Sequence, residues 1–108
     1  MGPLHLIIHK SYLEERINTP LPDEEKAAIS RVLDRINGIE HRESHVKQII
    51  SDAEDPDIPN GIHFVVEQCQ GYDSVILYGC YRNLCLRFAE HRLESIGVKV
   101  TYDSLGVI

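Results

Sequence analysis

The chain has little of what would set it apart from ordinary globular proteins. It contains no tryptophan, two phenylalanines and three cysteines, and its apolar residues never form a long run. A membrane-spanning helix needs about 20 consecutive apolar residues, and nothing here approaches that length. The three cysteines, Cys69, Cys80 and Cys85, form no CxxC pair. Their odd number and their spacing indicate free thiols and not a disulfide framework or a cysteine-based zinc site.

Basic clusters and glycine loops are missing as well. The net charge is −6, with 11 Lys and Arg against 17 Asp and Glu, and the charges are mixed along the chain. Nucleic-acid binding needs clustered Lys and Arg, and neither GxGxxG nor a Walker A pattern occurs. The segment from Met1 to Ile8 lacks the basic and long apolar regions of a signal peptide. We expect a cytoplasmic protein with no nucleic-acid or membrane partner.

The 108 residues predict a single domain over residues 1–108, because no repeat or long linker divides them. The short apolar run Leu4–Ile8 predicts a buried strand. A helix is predicted from Pro22, with acidic residues in its first turn and Gly38 as its stop. Its apolar stripe consists of Ile29, Val32, Leu33 and Ile36.

Two middle segments allow either a helix or a strand. The spacing of apolar residues predicts a helix over residues 42–53, with a strand over Val46–Ile50 as the alternative. Residues 62–69 also have helical spacing, although the run from His63 to Val66 would suit a strand. The Pro- and Asp-rich residues 55–61 between the two segments predict a loop.

The second half predicts a strand, a helix and a strand. Ser74–Gly79 is β-branched and apolar, as expected of a central strand in a parallel sheet. Asn83 is a suitable N-cap for a helix to Ile96, and Val98–Tyr102 alternates like a strand. The fold class is therefore α/β, a short three-layer sandwich with a mainly parallel sheet of three or four strands and helices on both faces. So small a sheet leaves edges and apolar faces uncovered, so we expect a homo-oligomer, and the expected form is a dimer.

Cys85 is the first candidate for chemistry. With Asn83 as N-cap, Cys85 would be the second residue of its helix, where unpaired N–H groups and the helix dipole favour a thiolate nucleophile. Ligands of open parallel sheets bind beyond the carboxyl ends of the strands, where such turns lie. The alternative is a buried structural thiol, which is common for free cysteine.

The segment from Gly79 to Leu86 resembles the region around the nucleophile of isochorismatase-like cysteine hydrolases, the superfamily that includes nicotinamidases. Both have an apolar strand ending in Gly, a tight turn, a Cys six residues after that Gly, and an apolar residue after the Cys. A helix, Gly97 and an alternating strand follow here, with Asp103 where the family often has an acidic residue. The resemblance spans residues 62–103. It implies an α/β fold and a cysteine hydrolase that acts on an amide or ester bond with Cys85 as nucleophile.

The resemblance also implies two further catalytic residues. The family's first strand ends in an Asp that acts as general acid and base, and His9 occupies that position here. Histidine can exchange protons near neutral pH. The family's Lys on a middle strand would be matched by Lys47, which requires the strand alternative over Val46–Ile50. The chain has about half the family's usual length, so a catalytically inactive relative that serves as a binding or oligomerisation module is the alternative function.

Three side chains are candidates for binding a small-molecule substrate. Arg82, where the family usually has a small hydroxyl residue, could hold a carboxylate or phosphate or pair with a surface carboxylate. Tyr81 and Tyr12 could line a pocket or serve only in packing. His41 and His45 would share one helical face, a spacing that suits a metal or an ordinary polar surface. No metal or cofactor is expected.

Overall fold

A computed structural model of the chain consists of a parallel β-sheet between two layers of helices, and it describes residues 2–49 and 69–108. The strands are β1 Leu4–Ile8, β2 Val46–Ile49, β3 Ser74–Gly79 and β4 Lys99–Val107. The helices are α1 Lys10–Arg16, α2 Asp23–Arg42 and α3 Cys85–Ser95. The four strands are in the order β2-β1-β3-β4, and every pairing is parallel. The α/β sandwich predicted from the sequence is confirmed.

The buried side chains form two clusters because successive strand residues point to opposite faces of the sheet. On one face, Leu6 and Leu77 lie in a cluster with Leu86 and Leu93 of α3. On the other face, Ile7 and Tyr78 lie in a second cluster, the α2-side cluster, with residues of α1 and α2, namely Leu13, Ile29, Val32, Ile36 and Ile39. β1 and β3 are thus covered on both faces, which explains their continuous apolar sequences.

Polar contacts tie the helical layer of α2 to the sheet. Arg35 in α2 pairs with Asp103 in β4, with Nη2 and Oδ2 3.0 Å apart. Beneath α2, His5 Nδ1 and Tyr78 Oη share a buried hydrogen bond of 2.8 Å. A buried polar group without a partner would cost stability, so this bond allows His5 to occupy a strand buried on both faces.

Two predictions in the first half are wrong. α2 continues one turn beyond Gly38, because that glycine remains helical, and ends at Arg42. The helix predicted over residues 42–53 is replaced by β2, which pairs with β1 through Val46 opposite His5. The strand alternative is therefore correct over Val46–Ile49. The prediction for residues 62–69 falls almost entirely outside the described residues.

The second half follows the predicted order with different element boundaries. Asn83 is not the N-cap, because α3 begins at Cys85 after Leu84 and no side chain caps it. β4 extends to Val107, with an irregularity where Leu77 is opposite Tyr102 and Gly79 is opposite Val107. Among the helices of the described residues, none has the length and apolar composition to cross a membrane.

Candidate functional site

The candidate site lies at the carboxyl ends of β1 and β3, which are neighbours in the sheet. After β1 the chain passes into α1, whose Leu13 belongs to the α2-side cluster, while β3 leads to α3 on the opposite face. Where two neighbouring strands lead to helices on opposite faces of a sheet, a crevice opens between their carboxyl ends, and ligands of open α/β sheets bind there. The residues that follow the two strands are His9 and the segment from Cys80 to Cys85.

Gly79 allows the two strands to approach closely at this edge. Its φ of 114° lies outside the usual range of other residues, and a Cβ atom here would be 1.9 Å from the Ile8 carbonyl oxygen. The Cys80 N–H donates to that same oxygen over 3.4 Å. His9, the next residue after Ile8, is therefore beside the start of the turn that leads to Cys85.

His9 has the left-handed conformation, with φ 60° and ψ 37°, at the junction of β1 and α1. Its carbonyl oxygen accepts the Leu13 N–H, which begins the helical hydrogen bonding. The imidazole is partly buried, and this burial lowers the pKa of His9. His9 is accordingly neutral at neutral pH and able to accept a proton.

Cys85 is the first residue of α3 and is partly exposed, whereas Cys69 and Cys80 are buried. Burial raises the pKa of the Cys85 thiol, and a backbone N–H at the helix start acts in the opposite direction with a smaller effect. The predicted thiolate is therefore corrected to a thiol in the free protein. Its reaction as a nucleophile then requires a base that removes the proton.

Cys80 is a buried neighbour of Cys85 that the sequence pattern did not single out as a site residue. Burial, and secondarily the nearby Cys85, raises the pKa of the Cys80 thiol to about 12. Because Cys80 directly follows the glycine that ends β3, the sequence could have predicted its position at the carboxyl edge of the sheet. Cys80 belongs to the α2-side cluster, so its packing in the core stabilises the start of the turn.

Tyr81 and Tyr12 contact each other on the α2 side of this edge. Their hydroxyl oxygens are 3.2 Å apart, and their rings meet edge to face with centroids 5.9 Å apart. Burial, together with the hydrogen bond to Tyr12, raises the pKa of Tyr81 to about 12. Both rings pack against the α2-side cluster, so they form a wall beside the turn.

Arg82 and Lys47 lie apart from this wall. The exposed Arg82 places its guanidinium carbon 5.5 Å from the centroid of the Tyr102 ring, on the α3 side of the sheet. Lys47 lies in β2 with its ammonium 5.9 Å from the centroid of the Tyr72 ring. Burial raises the pKa of Cys69 to about 11, and the nearby Lys47 opposes that rise with a smaller effect. Tyr72 and Cys69 precede β3, so these contacts of Lys47 are at the amino end of the strand, and Cys85 follows the other end.

His41 and His45 do not share a helical face, because α2 ends at Arg42 between them. His45 instead shares a hydrogen bond of 3.0 Å with the hydroxyl of Tyr72, while His41 is exposed. Within residues 2–49 and 69–108, no three His, Cys, Asp or Glu side chains are grouped to hold a metal ion.

Comparison with protein-family models, curated proteins and solved structures finds no significant match to this chain. The resemblance to isochorismatase-like hydrolases accordingly depends on the chain's own residues. Of these, Gly79 to Asp103 include the end of β3, the turn with Cys85, α3 and the first half of β4.

Proposed function

We propose that the chain is a small isochorismatase-like cysteine hydrolase that acts on an amide or ester bond of a small molecule. The observation that carries this proposal is the junction of β3 and α3. The one partly exposed thiol, Cys85, begins the helix that follows β3, and His9 directly follows β1, the neighbouring strand of the sheet. A nucleophile and a base at neighbouring strand ends are the parts that acyl transfer needs.

The reaction follows from the protonation states of the two groups. His9, neutral because burial lowers its pKa, accepts the Cys85 proton as the sulfur attacks the carbonyl carbon. The bond to the leaving nitrogen or oxygen breaks, His9 returns the proton to that atom, and a thioester is left on Cys85. Water then attacks the thioester with His9 again as base, which releases the acid and restores the thiol.

The raised pKa of Cys85 makes this base necessary and gives His9 a role in place of the family's Asp. A carboxylate of ordinary pKa is a weak base toward a thiol near neutral pH, whereas a neutral imidazole is better matched to the task. Arg82 is the residue proposed to bind a substrate carboxylate or phosphate, since it is exposed within the turn and its planar guanidinium suits either group.

The test is hydrolysis of a panel of small esters and amides by the native chain and by Cys85→Ala. The variant is expected to lose turnover and to keep its circular dichroism spectrum. Cys69→Ala is the matched control, because it removes the same atoms from a buried thiol at the amino end of β3. Equal turnover by the native chain and Cys85→Ala would rule out Cys85 as the nucleophile.

The second candidate function is a binding module without catalysis. It is favoured by the position of Lys47 over the Tyr72 ring, since the family's Lys helps to hold the nucleophile. In this case the native chain hydrolyses none of the panel, while a bound small molecule still slows alkylation of Cys85. Hydrolysis that depends on Cys85 would exclude this function.

A further inference from the structure

β4 lies at one edge of the sheet, and its outer side is regular over Lys99–Tyr102. In the part of the chain that the structure describes, β4 pairs with β3 alone. The Lys99 N–H donates to the Asp73 carbonyl oxygen over 2.9 Å, so the backbone groups of Lys99 face β3. Since these groups alternate along a strand, those of Thr101 also face β3, and those of Val100 and Tyr102 face outward.

Of the two outer strands in the described residues, β4 is the longer, with nine residues against four in β2. Short edge strands limit unwanted pairing, whereas a long edge strand presents a row of N–H and C=O groups to another strand. β4 is therefore the edge that is suited to accept a partner strand.

We propose that β4 pairs with β4 of a second copy of this chain, antiparallel, with the two-fold axis at Thr101. Charge complementarity selects this partner and this register. Val100 and Tyr102 pack against the cluster on the α3 side of the sheet, so Lys99 lies on the α2 face. Asp103 pairs with Arg35 on that same face. An axis midway between Lys99 and Asp103 puts each Lys99 opposite the partner's Asp103. Opposite charges directly across an antiparallel pair are stabilising.

The remaining pairs in this register are also favourable. Thr101 lies opposite the partner's Thr101, and Val100 lies opposite the partner's Tyr102. Thr–Thr and aromatic–β-branched pairs are among those that stabilise antiparallel strands. Moving the axis by one residue puts Lys99 opposite the partner's Thr101 or the partner's Leu105, and the charge pairing is lost.

The backbone of β4 is compatible with an axis at Thr101. Val100 and the partner's Tyr102 both direct their N–H and C=O groups outward, so they form a hydrogen-bonded pair that exchanges two bonds. Lys99 and the partner's Asp103 then form a non-hydrogen-bonded pair, in which side chains approach more closely. Arg35 already holds the Asp103 carboxylate in place, so the carboxylate is ordered before the partner's Lys99 arrives.

A disulfide cross-link tests the register directly. Across the axis, the Cα atoms of residue 101 would be about 4.5 Å apart, within the disulfide range of about 4.4–6.8 Å. Residue 99 would be about 14 Å from the partner's residue 99, four residues further along, which no disulfide can bridge. After oxidation, Thr101→Cys is therefore expected to form more covalent dimer than the native chain on non-reducing electrophoresis. Lys99→Cys is expected to form no more covalent dimer than the native chain. Cross-linking of neither variant, or of both equally, would overturn the proposal.

Charge reversal tests the pairing without added thiols. Lys99→Glu puts two carboxylates opposite each other at both ends of the pairing, so we expect the dimer Kd in sedimentation equilibrium to rise about tenfold. Lys26→Glu makes the same charge change at an exposed position of α2 and should leave the Kd unchanged. Equal effects of the two substitutions, or a native chain that stays monomeric throughout, would contradict the proposed interface.

Discussion

Gly79 determines how closely β1 and β3 approach at the edge that bears His9 and Cys85. A Cβ atom at this position would overlap the Ile8 carbonyl oxygen, and φ is 114°. We predict that Gly79→Ala lowers the free energy of unfolding by on the order of 3–5 kcal/mol, since overlap with backbone adds to the cost of the unusual φ. Urea denaturation followed by circular dichroism measures this loss.

Gly97 provides the matched control for Gly79. Its φ is also positive, at 86°, and a Cβ atom there would meet nothing within 4 Å. Gly97→Ala should therefore cost only the conformational strain, about 1 kcal/mol. Equal losses for the two substitutions would show that close approach to Ile8 is not what requires glycine at position 79.

Single residues also show which parts of the site were predictable. The sequence correctly predicts the strand ends that bear His9 and Gly79, because apolar runs ended by polar or glycine residues locate strand boundaries. It fails for the pKa of Cys85, because a pattern of residue types contains no measure of burial. Burial outweighs the backbone N–H at the helix start and leaves a thiol where a thiolate was expected.

At the scale of elements, β1 and β3 were predictable because each is a continuous apolar run, and α3 was predictable because its apolar residues have helical spacing. β2 was open to two interpretations, since Val46 and Ile49 fit a helical spacing as well as a short strand. Pairing with β1 decides in favour of the strand, and such a contact between distant residues is not visible in local periodicity. α1 was missed because its seven residues are mostly polar and only Leu13 is buried.

The end of α2 was predicted one turn too early for a related reason. Gly38 was a reasonable stop by composition, yet Ile39 beyond it is buried in the α2-side cluster. Burial of a further apolar residue offsets the cost of one glycine inside a helix, which is about 1 kcal/mol. Tertiary packing therefore extends the helix past a residue that favours ending it.

At the scale of the whole molecule, we predict that the free energy of unfolding falls in alkaline solution because two thiols are buried. Burial raises the pKa of Cys69 to about 11 and that of Cys80 to about 12, whereas an unfolded thiol titrates at about 8.5. Above that pH the unfolded chain releases protons that the folded chain keeps. The free energy of unfolding should therefore fall as the pH rises from about 8.5 towards 11–12.

Urea unfolding at pH 7.5, 9 and 10 under reducing conditions measures this dependence. The double variant Cys69→Ala and Cys80→Ala should be less stable at pH 7.5 because it loses buried atoms, but its stability should change less between pH 7.5 and 10. Identical pH dependence in the variant and the native chain would contradict the assignment of this loss to the two thiols.

The central claim is that His9 serves as the base for Cys85, and the pH dependence of Cys85 acylation by p-nitrophenyl acetate tests it most directly. We predict an acetyl group on Cys85, located by peptide mass spectrometry, with a rate that is level above about pH 6.5 because His9 is already neutral there. In His9→Asn, which tolerates the left-handed conformation, the rate should be low near neutral pH and rise steadily with pH as the thiolate forms. No acetyl group on Cys85, or the same profile in both proteins, would contradict this account.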